Sequence, residues 1–264
     1  MSEMLQVRPV RHLLGLSGGK DSAALAIYLR DRVPEMEYFF ADTGAELPET
    51  LEFIDLLQDY LGKPIVRLNA GRDFDYYLKL NNNYLPSPRQ RWCTINLKLI
   101  PFETYIGDDP VISYIAIRAD EPERSGYISK KTNIKTCFPF KDDGLVKEDI
   151  LNILESSGLG IPSYYKWRSR SGCYFCFFQK QEEWVGLKQH HPDLFERAKE
   201  YEKIDAVSGK KYTWNQKGTL DEILSKKEKP ISTDNNKNKK SKKLIDNLLD
   251  DESDPDDGCL ICTL

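Results

Sequence analysis

The chain has 264 residues, with 38 Lys and Arg against 42 Asp and Glu, and a net charge of −4 at pH 7. This length predicts one or two domains, and a composition with 40% hydrophobic residues excludes a chain that is disordered throughout. The sequence has no apolar run near the ~20 residues of a membrane span and no secretion signal at its start. We therefore expect a cytoplasmic protein without a membrane partner, whose six cysteines serve metal, cluster or redox chemistry.

Strand-like and helix-like patterns alternate along the first part of the chain. Short apolar runs predict strands, and apolar residues at helical spacing predict helices, in the order strand 12–16, helix 21–32, strand 38–41, helix 48–61, strand 65–68 and strand 111–117. Pro48 suits the first turn of its helix, and Gly62 suits the end of the same helix. Because such strands connect through right-handed crossovers, the sequence predicts an α/β fold with a parallel sheet covered by helices on both faces.

The later part of the chain changes composition twice. Helices are predicted at 147–157 and 182–203, on either side of a segment at 164–178 that is rich in cysteine, aromatic and basic residues. We interpret these aromatic residues as the packing of a small helical subdomain, with base stacking as the alternative. Residues 226–243 hold eight Lys and two acidic residues, whereas residues 246–257 hold seven acidic residues and no base, which predicts a solvated linker. The predicted units are an α/β domain at 1–145, the CxxC-containing subdomain at 146–224, a disordered charged linker at 225–257 and a CxxC tail at 258–264.

The stretch L-L-G-L-S-G-G-K-D-S at residues 13–22 predicts a phosphate site. An apolar strand runs into glycines that let the backbone approach a ligand closely, and the N–H groups of the following helix N-terminus face an anion. The hydroxyls of two serines and the charge of a lysine add to this attraction, although a glycine-rich turn without a ligand is the alternative. Neither a Walker loop nor G-x-G-x-x-G is present. The predicted phosphate-binding residues are Ser17, Gly18, Gly19, Lys20, Asp21 and Ser22.

Charged residues follow two other predicted strands. Asp42 comes directly after the second strand and is expected to hold Mg²⁺ on a bound pyrophosphate; the alternative is that it caps the next helix or forms an Asx turn. Arg118 and Arg124 follow the strand at 111–117. They are expected to clamp phosphate or a second anionic substrate, and ion pairs with neighbouring acidic residues are the alternative.

Three cysteines form a further candidate site. Cys173 and Cys176 make a CxxC motif beside a basic run, and nearby cations lower the pKa of thiols. One CxxC does not distinguish a redox pair from half of a zinc site or half of an iron–sulfur site. Cys93 supplies a third thiol, and three plain structural thiols are the alternative.

Four segments carry a family resemblance. S-G-G-K-D-S at 17–22 resembles the pyrophosphate loop of the adenine-nucleotide α-hydrolase, or N-type ATP pyrophosphatase, superfamily, whose members share a Rossmann-like (HUP-type) sheet. Three more segments narrow the resemblance to the phosphoadenylylsulfate (PAPS) reductase-like branch: D-T-G-A-E-L-P-E-T at 42–50, R-W-C-T at 91–94 with Lys98 and Pro101, and R-A-D-E at 118–121 with Arg124. The resemblance covers residues 10–205 and leaves the tail outside.

The resemblance implies an enzyme that cleaves ATP between its α and β phosphates, with Mg²⁺ as cofactor. The catalytic residues it implies are Lys20, Asp21, Asp42 and Arg118. It also implies a [4Fe–4S] cluster on Cys93, Cys173 and Cys176, with Zn²⁺ as the alternative metal. A fourth ligand is open among Cys137, His190, His191, Cys259 and Cys262.

Within this branch, the sequence resembles most the ATP-pyrophosphatase component of DNA phosphorothioation systems of the Dnd or Ssp type, which act in defence. This resemblance implies DNA as the ultimate substrate, and a cysteine desulfurase and other modification-system proteins as partners. The alternatives are an adenylylsulfate or PAPS reductase, whose E-C-G-L-H tail is absent here, and a nucleotide-binding regulatory module. The CxxC tail is expected to dock as a persulfide carrier, an extra ligand or a partner-binding tag, or else to be an idle end. The sequence leaves open whether the protein forms a homo-oligomer.

Overall fold

The computed structural model describes residues 8–126, 129, 131–204, 209, 211–215 and 217–227. Its central element is a sheet of five parallel strands in the order β3-β2-β1-β4-β5. These strands are β1 (Arg11–Leu16), β2 (Glu37–Ala41), β3 (Ile65–Leu68), β4 (Val111–Tyr114) and β5 (Ile134–Cys137). A short antiparallel pair, β6 (Lys203–Ile204) and β7 (Lys211–Tyr212), lies outside this sheet.

Helices connect and flank the strands. They are α1 (Lys20–Leu29), α2 (Pro48–Leu61), α3 (Phe74–Leu80), α4 (Trp92–Thr94), α5 (Ile100–Ile106), α6 (Pro139–Asp142), α7 (Lys147–Ser156), α8 (Gln181–His190), α9 (Pro192–Glu200) and α10 (Leu220–Lys227). A π-helical stretch, Ile95–Leu99, joins α4 to α5, and a 3₁₀ turn covers Ser163–Lys166. The predicted α/β fold with a parallel, Rossmann-like sheet is therefore confirmed.

Local signals explain where several elements begin and end. Pro48 is the first residue of α2, and Gly62 ends that helix in the left-handed conformation at φ 63°, which glycine adopts without a Cβ penalty. The helix expected over 182–203 is divided, because Pro192 lacks the N–H that a continuing helix needs and instead begins α9. The strand expected to reach residue 117 pairs only to Tyr114.

Two apolar layers cover the sheet. On one face, α1, α2 and α7 pack over the strands through a buried cluster that includes Leu25, Leu57 and Leu154. On the other face, a smaller cluster packs Phe102 of α5 against Phe39 of β2, with ring centroids 4.9 Å apart. With both faces buried, the strands read as continuous apolar runs, as expected of a parallel sheet.

A third cluster packs residues from 45–97 against residues from 151–224 and contains most of the aromatic residues of the later chain. Phe175 lies near its centre, with its ring 4.4 Å from that of Phe74 and stacked on Trp214 at 5.2 Å. Tyr164, Tyr165 and Tyr174 are also buried in this region. The interpretation of these aromatics as packing residues is therefore confirmed for the buried members.

No helix within the described ranges is long and apolar enough to cross a membrane. Residues 228–264 lie outside the described residues. The expected charged linker and CxxC tail therefore stay predictions, as does the division of the chain into domains.

Candidate functional site

The strand order brings the predicted site residues to one edge of the sheet. The order reverses at β1, whose two neighbours β2 and β4 lead away in opposite directions. Ligands of open α/β sheets bind in the crevice outside the carboxyl ends of the strands at such a switch point. Ser17 follows β1, Asp42 follows β2, and Arg118 lies four residues beyond β4.

Close packing forces glycine at two positions of the loop. Gly18 has φ 71°, and a Cβ there would lie 2.4 Å from Cγ2 of Thr50 on α2. A Cβ on Gly19 would lie 2.7 Å from the hydroxyl of Ser171. A side chain at either position must displace its neighbour or the loop. At Gly18 the positive φ is a second reason for glycine, whereas Gly19 is extended at φ −100°.

Hydroxyl groups line the loop and bond to one another. The Ser17 backbone N–H donates to Ser22 Oγ at 3.1 Å, and the two serine Oγ atoms are 3.1 Å apart. The Gly19 N–H donates to Ser17 Oγ at 3.3 Å. Gly19 is also the N-cap of α1 and has no side chain to cap the helix, so the helix N-terminus opens toward this cluster of hydroxyls. Such a set of hydroxyl and N–H donors suits a phosphate group.

Two tyrosines of the subdomain hold the loop from the other side. Tyr164 OH donates to the Gly18 carbonyl at 2.8 Å, and the Lys20 backbone N–H donates to Tyr165 OH at 3.1 Å. The sequence predicted both tyrosines only as packing residues. Their role at the loop had no local signal, because about 145 positions of sequence separate the partners of each bond.

A buried charge network follows the loop. Asp21 pairs with Lys20 Nζ at 2.9 Å and with Arg118 at 3.0 Å, and Arg118, only 3% exposed, also bonds to Asp120 at 2.9 Å. Burial works to raise the pKa of Asp21, but the charges of Lys20 and Arg118 outweigh it and hold that pKa well below its usual range. Arg118 and Lys20 are thus fixed next to the loop as buried cations, whereas Arg124 pairs with Glu121.

Asp42 forms an Asx turn in this structure. Its Oδ1 accepts the Gly44 N–H at 3.0 Å, and the N-cap of α2 is Leu47 and not Asp42. The expectation that Asp42 holds Mg²⁺ stays a prediction. The neighbouring Glu46 accepts from the Thr43 hydroxyl at 2.6 Å and from the Ala45 N–H at 3.1 Å.

The three predicted cysteines line one cavity of about 480 Å³, including its mouth. Cys93 comes from α4, and Cys173 and Cys176 come from the loop before α8. Other lining residues are Thr43, Phe74, Pro86, Thr94, Leu97, Lys98, Gly172, Phe175, Phe177 and Phe178. The fold thus brings together thiols that are about 80 residues apart in sequence.

Burial makes Cys173 a weak acid in the protein without a metal. Removal from water, and then the negative charge of Glu46, raise the pKa of the Cys173 thiol to about 12. Its Sγ lies 3.3 Å from Thr43 Oγ1, and the peptide that follows Cys173 is anchored at both its carbonyl and its N–H. Arg168, 2% exposed, donates to the Cys173 carbonyl at 2.9 Å, and the Tyr174 N–H donates to the Ala45 carbonyl at 2.8 Å.

The donor chemistry of this cavity fits a soft metal or an iron–sulfur cluster. All three thiols are free of disulfides, and thiolates are the usual ligands of such groups. Aromatic and aliphatic side chains surround them. Within the part of the chain that the structure describes, however, no group of three Cys, His, Asp or Glu side chains is gathered closely enough to hold a metal ion. The cavity lining includes neither Cys137, His190 nor His191. Cys259 and Cys262 lie outside the described residues.

The two histidines have other contacts. His190 stacks on Trp167 with ring centroids 5.5 Å apart. His191 Nε2 lies 2.8 Å from a carboxylate oxygen of Glu49 on α2. His190 thus packs against a ring and His191 contacts a carboxylate, and the fourth-ligand assignment stays open.

A basic and aromatic rim lies beside the cavity. The Phe178 ring, which lines the cavity, has the guanidinium of Arg91 at 5.0 Å and that of Arg170 at 5.7 Å from its centroid. Among the described residues, no carboxylate lies within ion-pair distance of either arginine. These two charges are therefore available to an anionic partner, whereas the sequence had indicated only the basic run around Arg170.

Comparison with known proteins agrees with this arrangement. Residues 11–136 match the phosphoadenosine phosphosulfate reductase domain family. An uncharacterized protein of Methanocaldococcus jannaschii is 28% identical over 198 residues, covering 70% of this chain and 40% of that protein. The chain therefore spans less than half the length of this relative.

Two solved structures are similar to the chain. One is the PAPS reductase of Candida auris in complex with phosphate, at 10% identity and a TM-score of 0.49, covering 62% of this chain and 81% of that one. The other is the U34-tRNA thiolase of Methanococcus maripaludis with its [4Fe–4S] cluster, at 12% identity and a TM-score of 0.43, covering 83% of this chain and 81% of that one.

The fold, the loop and the family match define the class of this protein. It is an α/β protein whose residues 11–136 match a PAPS reductase-type domain, and the glycine- and serine-rich loop predicted to bind phosphate lies at the switch point of its sheet. The match supports the predicted superfamily. The narrower resemblance to DNA phosphorothioation enzymes stays a proposal.

Proposed function

We propose that this protein is an ATP pyrophosphatase that adenylates an oxygen atom to prepare it for replacement by sulfur. The observation that carries the proposal is the loop at residues 17–22. There, two closely packed glycines, a set of hydroxyls and the N-terminus of α1, whose N-cap is a glycine, lie beside the buried cations Lys20 and Arg118. This arrangement suits a pyrophosphate.

The proposed reaction has two steps. An oxygen of the acceptor attacks the α-phosphorus of ATP, the bond from that phosphorus to the α,β-bridging oxygen breaks, and pyrophosphate leaves with the electron pair. A sulfur nucleophile then forms a bond to the activated centre, and AMP leaves with the former acceptor oxygen. Catalysis of the first step consists of positioning and of neutralising the charge on pyrophosphate.

Each loop residue has a role in this scheme. Backbone N–H groups at Gly18 and Gly19 and the hydroxyls of Ser17 and Ser22 bind phosphate oxygens. Lys20 exchanges part of its pairing with Asp21 for the pyrophosphate, and Asp42 holds Mg²⁺. Arg118 stays paired with Asp21 and faces the α-phosphate. A cluster or zinc ion held by the three cavity cysteines would supply a site that binds sulfur.

The alternative is an adenylylsulfate or PAPS reductase, which the domain match over residues 11–136 favours by its description. In that reaction a cysteine thiolate attacks the sulfur of a sulfated nucleotide, and the nucleotide phosphate leaves. In that family the attacking cysteine lies in an E-C-G-L-H tail, and this sequence has no such string, so we favour the pyrophosphatase.

We further propose DNA as the acceptor, with a backbone oxygen as the activated atom. The arginines beside Phe178 support an anionic polymer at the cavity mouth, since guanidinium groups pair with phosphates and the ring can stack on a base. A cysteine desulfurase and other proteins of a modification system are the proposed partners. A cytoplasmic location follows from this role.

The proposal is tested by incubating the purified protein with ATP, Mg²⁺ and DNA and measuring pyrophosphate and AMP. Lys20→Ala and Ser17→Ala are expected to abolish pyrophosphate release, because each removes a group that binds the leaving pyrophosphate. Lys79→Ala, at an exposed position on α3, is the matched control. Pyrophosphate release at the parental rate in both loop variants would refute the site. Sulfite release from PAPS without ATP cleavage would select the reductase.

A further inference from the structure

A third hydroxyl contacts the phosphate loop from outside it. Ser171 Oγ donates to Ser17 Oγ at 3.2 Å. The same oxygen lies 2.7 Å from the position that a Cβ on Gly19 would take. Ser171 therefore lies directly against the first residues of the loop and joins the hydroxyls of Ser17 and Ser22 in one group.

The chain that carries Ser171 continues at once into the thiol cavity. Gly172 and Cys173 follow, and both line the cavity. Two residues of chain span at most about 7 Å, so the loop and Cys173 are direct neighbours. Gly172 has φ 135°, a conformation that favours glycine at this close connection between the two sites.

The peptide that follows Ser171 is held by contacts with other parts of the fold. Arg168 donates to the Gly172 carbonyl at 3.3 Å and to the Cys173 carbonyl at 2.9 Å, and the Tyr174 N–H is bonded to the Ala45 carbonyl. Ser171 is thus joined to Cys173 through a single intervening residue that is part of an anchored segment, with no long loop between the two sites.

From these contacts we propose that Ser171 is a ligand of the nucleotide's phosphates and that its binding there sets the position of Cys173. With phosphate bound, the Ser171 hydroxyl donates to a phosphate oxygen in place of Ser17 Oγ. The nucleotide and the sulfur-handling cavity are thereby coupled through three consecutive residues. This inference rests on the proposed function, since it requires that a nucleotide occupies the loop.

Other serines of this segment have different environments. The Ser169 N–H and hydroxyl both bond to Glu183, each at 2.7 Å, so Ser169 holds the start of α8. Ser163 is exposed at the beginning of the 3₁₀ turn. Ser163→Ala is therefore the matched control for Ser171→Ala, because it removes the same hydroxyl from the same segment away from the loop.

The test measures binding and local protection in the full-length chain. Affinity for α,β-methylene-ATP with Mg²⁺ is measured by calorimetry. Hydrogen exchange of peptides from residues 13–23 and 170–178 is followed by mass spectrometry, with and without the analogue. The parent is expected to bind the analogue and to show slower exchange in both peptides.

Ser171→Ala is expected to weaken binding by about 10-fold, the effect of losing one hydrogen bond to a charged group. It should keep the protection of residues 13–23 at saturating analogue and lose that of residues 170–178. Ser163→Ala should match the parent in both measurements. Unchanged affinity in Ser171→Ala, or retained protection of residues 170–178, would overturn the inference and leave the pyrophosphatase proposal intact. A parent protein that does not bind the analogue would overturn both.

Discussion

Replacing Gly18 by Ala tests the geometry of the phosphate loop directly. The left-handed conformation at φ 71° costs an L-residue about 1–2 kcal/mol. The new methyl would lie 2.4 Å from Thr50 Cγ2, and overpacking of this kind costs about 1–3 kcal/mol. Alanine also lowers the conformational entropy of the unfolded chain, which stabilises the folded protein by about 0.4–1 kcal/mol. We therefore expect Gly18→Ala to lower the free energy of unfolding by about 2–4 kcal/mol.

A second substitution separates the clash from the backbone strain. Thr50→Ser removes Cγ2 from a fully buried residue and should cost about 1 kcal/mol by itself. Since Thr50 Oγ1 has no hydrogen-bond partner among the described residues, this change breaks no bond of that hydroxyl. In the double variant the methyl introduced by Gly18→Ala gains the space that Cγ2 vacates. The two effects should be non-additive, with about 1–3 kcal/mol of the clash recovered.

Urea unfolding followed by circular dichroism gives the four free energies of the cycle. With a slope of about 2–3 kcal/mol per molar, Gly18→Ala should lower the urea midpoint by about 1 M. Pyrophosphate release should fall in Gly18→Ala and recover only in part in the double variant, because the backbone strain persists. A loss below about 0.5 kcal/mol, or strictly additive effects, would refute the packing of Gly18 against Thr50.

Three further changes have defined outcomes. The pKa of Asp21 is held low, so the contribution of this carboxylate to stability is present above the unfolded pKa of about 4 and is lost as the pH falls. Asp21→Asn should therefore be less stable than the parent by about 2–4 kcal/mol at pH 7 and differ less from it near pH 2. Equal urea midpoints of the two proteins at pH 7 would contradict this. Serine at any one of the three cavity cysteines should remove most bound iron or zinc, whereas unchanged metal content in all three variants would leave them as structural thiols. Deletion of residues 226–264 should abolish sulfur incorporation and keep ATP cleavage; full incorporation in the cell by the truncated protein would eliminate a role for the tail.

Local signals in the sequence predicted much of the sheet. Each of β1, β2 and β3 is a short apolar run, and α2 is delimited by Pro48 and Gly62, so propensity and periodicity were sufficient. β5 was missed. Its residues 134–137 are I-K-T-C, partly buried at the edge of the sheet, and such a strand has little apolar content to distinguish it from a loop.

The site was predictable where its residues belong to recognisable sequence motifs. The loop at 17–22 and the three cysteines were recognised from motifs, and the structure places the cysteines on one cavity. The contacts of Tyr164, Tyr165 and Ser171 with the loop depend on tertiary packing between distant segments. The only sequence signal for Ser171 was its place directly before G-C-x-x-C, which gives no indication of its partner.

The π-helical stretch Ile95–Leu99 has a consequence for how this fold can vary. Pro101 follows it in the first turn of α5, where a missing N–H disfavours a regular α-helix through the preceding residues. In a regular helix, Cys93 and Lys98 would point about 140° apart at 100° per residue, yet both line the cavity. The wider turn acts as a one-residue insertion that sets the rotation of the cysteine segment independently of α5. Gain or loss of a single residue in this stretch would therefore change the direction in which the Cys93 side chain points, while α5 keeps its position on the sheet.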